Sequence, residues 1–138
     1  MLILIATFSF AQNDLRISRI DFCENVQDYK LKGMRTKFSN KVGLVYCFTK
    51  VEGATDTTTI SHIWYYDGKQ KAKVDLKVKS NSWRTYSSKR ILKTWTGTWR
   101  VDVVDEKENV LKSKKFMITS SKQNQNISAA KSEKDSSK

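Results

Sequence analysis

Few residues in this chain have chemistry to offer. His62 is the single histidine, so a proton-transfer centre would need either that ring or a carboxylate tuned by burial. Ser87 and Ser88 are adjacent hydroxyls, but no Gly-x-Ser-x-Gly elbow surrounds them, which weakens a nucleophile assignment. Cys23 and Cys47 are the only cysteines. They lie far apart, form no Cys-x-x-Cys pair, and with one histidine cannot build an ordinary zinc site. No glycine-rich phosphate loop occurs. The expectation is a chain that is not an enzyme and takes no metal or cofactor.

Recognition chemistry is better supplied. In an extended Trp83-Arg84-Thr85-Tyr86-Ser87-Ser88-Lys89 segment, Trp83, Thr85, Ser87 and Lys89 face one way, and Arg84, Tyr86 and Ser88 the other. The second set joins a planar guanidinium to a phenol and a hydroxyl. Such a set can stack on a sugar ring or hold a carboxylate or phosphate at two points. The alternative is structural, with Arg84 pairing an acid such as Asp102 while Trp83, Trp64 and Trp99 knit two sheets together. His62 likewise shares a strand face with Ile60 and Trp64, where a buried, hydrogen-bonded ring competes with a functional one.

The elements that would position these residues are strands. Seven runs show two-residue alternation bounded by polar or glycine-containing turns: 15–23, 41–51, 59–66, 69–79, 82–89, 98–105 and 110–118. In the first, Leu15 and Ile17 fall in one phase and Ile20 and Phe22 in the other, a switch that suggests a bulge near Ser18 or a strand that changes sheet. Residues 24–40 are polar and irregular in pattern. Asp67-Gly68 is a two-residue hairpin turn, since glycine accepts the positive φ of a primed turn. Over 69–79, Ala72, Val74, Leu76 and Val78 alternate with Lys71, Lys73, Asp75, Lys77 and Lys79. Such lysines keep a sheet edge from pairing with another sheet, or else attract a polyanion. Runs about a dozen residues apart with no helical repeat between them predict an all-β, antiparallel, two-sheet sandwich of immunoglobulin-like kind with about seven strands.

Composition supports one domain in 138 residues. Fifteen aromatics (four Trp, five Tyr and six Phe) must fill a core or form a recognition surface. The net charge of +12 from 26 basic and 14 acidic residues attracts polyanions such as nucleic acid, anionic lipid or envelope glycans. Met1 to Phe10 is apolar and uncharged, and Ser9-Phe10-Ala11 offers the small residues that signal peptidase requires. Residues 1–11 therefore read as a signal peptide truncated at its start, 15–118 as the domain, and 119–138 as a disordered polar tail. Ten apolar residues are too short to span a bilayer, and no transmembrane segment remains after removal of the leader. A first β-strand is the competing assignment for LILIATF. Export places the chain in the periplasm or outside the cell, where a disulfide between Cys23 and Cys47 would contribute ~3.5 kcal/mol in chain entropy. Two reduced, buried thiols are the alternative.

At VYCFTKV, SHIWYYDGK, WRTYSSK and GTWRVDVVDEKENVL the chain resembles a bacterial family known as domain of unknown function 2914 (DUF 2914). The resemblance runs over roughly residues 16–118, with Tyr86 where Trp is commoner. It implies domain boundaries rather than a reaction, and it marks His62, Trp64, Arg84, Ser87, Ser88, Lys89 and Trp99. With Tyr86, these form the candidate binding set. The expected partner is a cell-envelope glycan, peptide or protein. A basic nucleic-acid-binding domain is the alternative, and the apolar leader argues against it.

Overall fold

The computed structural model describes residues 14–121. The leader expected over 1–11, and all of the expected tail beyond residue 121, lie outside the described residues. The chain is all-β. Its strands are β1 (Arg16–Cys23), β2 (Asn25–Gln27), β3 (Lys30–Lys32), β4 (Lys37–Ser39), β5 (Leu44–Glu52), β6 (Thr58–Tyr66), β7 (Lys69–Val78), β8 (Ser82–Arg90), β9 (Gly97–Val104) and β10 (Val110–Thr119).

The seven longer strands, β1 and β5 to β10, correspond to the seven alternating runs. The other three bring the strands among the described residues to ten, and all lie in the stretch 24–40 where the sequence pattern gives no strand. Three residues are too few to display alternation, and these segments are held by what they pair with rather than by a greasy face of their own. β2 and β3 form a separate antiparallel ribbon. Its turn, Asp28-Tyr29, has both residues at positive φ (50° and 59°), a primed geometry usually given to Asn-Gly.

The longer strands form two sheets, in the orders β1-β5-β8 and β4-β10-β9-β6-β7. Every pairing is antiparallel except one. β4 runs parallel to β10, a three-residue exception within otherwise antiparallel sheets. The chain leaves the first sheet after β1, lays down β4 at the margin of the second, and returns through Val42 and Gly43 to β5. Thr119 closes this corner, accepting from Asn40 N at 2.9 Å, so the last strand runs one residue past the expected boundary.

Alternation places Ile17, Ile20, Phe22, Val45, Cys47 and Val51 of the first sheet against Ile60, Trp64, Trp99, Val101, Val103, Phe116 and Ile118 of the second, in one continuous core. The result is a two-layer, sandwich-like body. The phase switch in β1 is a bulge between Ile17 and Arg19, the first of the two outcomes its hydrophobic pattern allows. β7 closes an edge of the five-stranded sheet with its lysines outward, and Asp67-Gly68 joins it to β6 with both φ values positive. Gly53 is required after β5. Its φ is 92°, and a Cβ there would collide with the carbonyl oxygen of Asp14. Asp105 organises the β9–β10 turn, accepting from Lys107 N, Asn109 N and Asn109 Nδ2 at 2.9 to 3.0 Å. Burial raises its pKa, but these hydrogen bonds outweigh that and hold the carboxyl below its usual range.

Candidate functional site

The eight candidate residues divide between two places. His62, Trp64, Ser87 and Trp99 are buried, whereas Arg84, Tyr86 and Ser88 are exposed and Lys89 is half-buried. The division follows from strand geometry. β6 and β9 are interior strands of the larger sheet, so one face of each is committed to the core. β8 is an edge strand of the smaller sheet, and its residues alternate between core and solvent.

The buried set forms a polar bridge between the sheets. Ser87 Oγ lies 2.6 Å from His62 Nδ1 and accepts from Trp64 Nε1 at 3.2 Å, while His62 Nε2 lies 3.2 Å from Thr49 Oγ1. Thr49 on β5 and Ser87 on β8 belong to one sheet, and His62 and Trp64 on β6 to the other. Burial lowers the His62 pKa from 6.5 to about 4, so the ring is neutral at pH 7. A neutral ring can accept from the Ser87 hydroxyl and donate to Thr49, which matches all the contacts around it. The Ser–His contact resembles a catalytic pair, but the chemistry differs. The Ser87 oxygen is sealed in the core and already holds the Trp64 N–H, and the second ring nitrogen faces a hydroxyl instead of an orienting carboxylate. What this arrangement does is fasten two layers in register.

Trp99 continues the core upward. Its ring lies 4.9 Å from Tyr66, 5.8 Å from Trp95 and 5.8 Å from Phe116, and its Nε1 donates to Trp95 O at 3.1 Å. Lys89 reaches the end of this stack, its ammonium 5.3 Å from the Trp95 ring, with Lys71 at 5.4 Å. Of the three tryptophans offered as ties between sheets, Trp64 bonds across the layers through Ser87, the aromatic partners of Trp99 lie on its own sheet and at Trp95, and Trp83 is half-buried against the core.

The exposed set lies on the outer face of the smaller sheet. Arg84 does not pair with Asp102. That carboxylate takes Arg100 Nε at 3.0 Å and the Ser113 hydroxyl, because Asp102 on β9 faces away from the smaller sheet. Among the described residues Arg84 makes no ion pair. Tyr86 is 40% exposed and Tyr29 is 54% exposed, with ring centres 6.4 Å apart, edge to face. Tyr46 flanks Tyr86 at 6.1 Å. An open cleft of about 350 Å³ runs between the ribbon tip and β8, lined by Tyr29, Ser82, Trp83 and Arg84.

Tyr29 is the participant that sequence reasoning missed. It lies in the irregular stretch, and no spacing rule links it to Tyr86. Phe48 and Cys23 are buried although their register places them on the outward face with Tyr86 and Tyr46, and Cys23 lies against the ribbon backbone at Asn25 and Lys32. The guanidinium of Arg19 covers the Phe48 ring at 5.3 Å.

Cys23 and Cys47 are free, buried thiols. Cys47 stands opposite Phe22 and Cys23 opposite Tyr46, so alternation sends the two sulfurs to opposite faces of the sheet, which disfavours the disulfide. Burial pushes both thiols up, which suppresses the thiolate. Among the described residues no three His, Cys, Asp or Glu side chains converge as metal ligands, and no helix is long and apolar enough to cross a membrane.

No curated protein matches the chain. A family model described as "Protein of unknown function (DUF2914)" matches residues 57–118. The matched stretch holds β6 through β9 and all of β10 but Thr119, including His62, Trp64, Ser87 and the exposed Arg84, Tyr86 and Ser88. The resemblance read at VYCFTKV falls before it, so Thr49 and the whole of β1 to β5 lie outside the match. Over residues 57–118 the chain is similar to the DUF2914 family, which supports the resemblance read from its motifs.

Proposed function

We propose that this chain is an exported, non-catalytic module that binds a cell-envelope glycan, peptide or protein through the outer face of its smaller sheet. The observation that carries the reading is an open cleft lined by Arg84 and Tyr29, with Tyr86 beside Tyr29 and a guanidinium free of any ion pair among the described residues. A planar cation beside exposed phenols is a ready contact for an anionic or ring-bearing ligand. Tyr29 sits at positive φ in the ribbon turn, a conformation that costs a bulky L-residue energy, and the turn holds its ring beside Tyr86. The apolar stretch before Ala11 supports export to the periplasm or beyond. The order β1-β5-β8 against β10-β9-β6-β7 supports an immunoglobulin-like sandwich, a scaffold that commonly presents such faces.

The test is calorimetric titration of the protein with peptidoglycan fragments, envelope glycans and envelope-derived peptides, beside an Arg84→Ala variant. Binding that weakens about tenfold or more in the variant supports the site. Flat titrations throughout, or equal affinity in the variant, overturn it.

A further inference from the structure

The two sheets have four edges, β1, β8, β4 and β7, and three of them are blunted. β1 carries a bulge between Ile17 and Arg19. β4 is three residues long. β7 pairs with β6 across a bulge between Trp64 and Tyr65, and it presents Lys69, Lys71, Lys73 and Lys77. These are the ordinary defences of a sheet against unwanted pairing. β8 has neither a bulge nor a short span. All nine of its residues pair with β5 in unbroken register, from Leu44↔Arg90 to Glu52↔Ser82.

The phase of that ladder is fixed at both ends. Ile91 N donates to Gly43 O at 2.8 Å, and Gly53 N donates to Asn81 O at 2.9 Å. In an antiparallel pair the bonded positions alternate, so Trp83, Thr85, Ser87 and Lys89 turn their backbone groups to β5. Arg84, Tyr86 and Ser88 turn theirs outward. Among the described residues those outward groups meet no hydrogen-bond partner, whereas Ser82 O and Arg90 O are taken by Ser80 Oγ and Lys89 Nζ. The same three residues therefore offer side chains to the open face and peptide groups to the open edge.

We propose that β8 is a docking edge for an extended acidic peptide, which adds as a fourth strand beside Arg84–Ser88 and sets its carboxylates against Arg84 and Arg90. This rests on the binding-module reading above and specifies its partner. Strand addition draws affinity from backbone hydrogen bonds and specificity from alternate side chains, and β8 supplies both. Charge selects the occupant. β8 holds Arg84, Lys89 and Arg90 and no acid, and Lys50 lies opposite Arg84. The acids on this face are already engaged, Glu52 by Arg16 and Lys50, and Asp21 by Arg19 and Lys114. A second copy paired edge to edge would gather like charges without compensation.

The experiment titrates the protein, at physiological salt, with an end-blocked alternating glutamate–valine hexapeptide. The same peptide with alternate amides N-methylated and an oligogalacturonate serve as comparisons, and amide exchange is followed by NMR. Expected results are saturable binding of the plain peptide, slowed exchange at Arg84, Tyr86 and Ser88, and about tenfold or greater weakening on N-methylation. Ser88→Pro should abolish binding without lowering the melting temperature appreciably, since that N–H serves no bond to β5. Arg84→Glu should weaken binding even if the proline variant fails to fold. Equal affinity for the methylated peptide overturns strand addition. Binding of the oligogalacturonate alone, lost in Arg84→Ala, overturns the peptide partner while leaving the module reading intact. No binding by any probe overturns the edge proposal, and the wider ligand panel above then decides the module reading separately. A concentration-dependent dimer that Ser88→Pro dissociates overturns the acidic peptide in favour of a second copy.

Discussion

The two faces of β8 come from one seven-residue stretch and differ in almost everything else. Inward, Ser87 joins His62, Trp64 and Thr49 in a closed set of hydrogen bonds between the sheets. Outward, Arg84, Tyr86 and Ser88 stand in solvent with their peptide groups unused among the described residues. A motif spanning both faces therefore mixes two requirements, and resemblance to a family cannot separate them. Strand alternation can. The inward residues carry stability and the outward ones are free to carry recognition, so substitutions should divide along the same line.

The largest effect belongs to the core beyond the bridge. Trp99→Ala removes a ring packed on Tyr66, Trp95 and Phe116 and should cost ~3–5 kcal/mol in urea unfolding.

Acid should act through His62 next. The folded ring titrates at about 4 against 6.5 for a free one, so the unfolded chain takes up the proton first. Its contribution is complete above pH 6.5 and is lost as pH falls towards 4, amounting to ~3 kcal/mol in all. Urea midpoints measured across that window should fall in the wild type, and His62→Gln should flatten this part of the slope. An unchanged slope in the variant would mean that carboxylates govern the acid transition.

Ser87→Ala strips a partner from both the His62 ring and the Trp64 indole and should cost ~1–3 kcal/mol. The smallest effect is expected across the strand. Arg84→Ala should shift stability by no more than ~0.5 kcal/mol while removing ligand affinity. Were Arg84→Ala as destabilising as Ser87→Ala, the contrast between the faces would fail, and the outer cluster would be structural.

Much of the architecture was legible because period-two alternation is a local property. The phase change in β1 is visible in Ile17 and Ile20, although alternation allows a bulge or a change of sheet there, and the β6–β7 hairpin follows from Asp67-Gly68. The separation of Arg84, Tyr86 and Ser88 from Ser87 follows from counting by twos. The ribbon was not legible, because Asn25–Gln27 and Lys30–Lys32 are short and polar and are strands only in each other's company. The parallel partner of β10 was equally hidden, as three residues from Lys37 to Ser39 carry no sign of which neighbour they will meet.

By itself, then, the sequence determined the all-β class, the seven long strands and which side chains share a face, because each depends only on a residue and its near neighbours. Tertiary structure decided the rest. It chose that Ser87 meets His62 across 25 positions of chain, that Tyr29 comes to rest beside Tyr86, that Asp102 takes Arg100 and leaves Arg84 without an ion pair among the described residues, and that β8 is an edge. Long-range contacts depend on how two sheets stack and where the chain crosses between them, and no spacing within a strand encodes that.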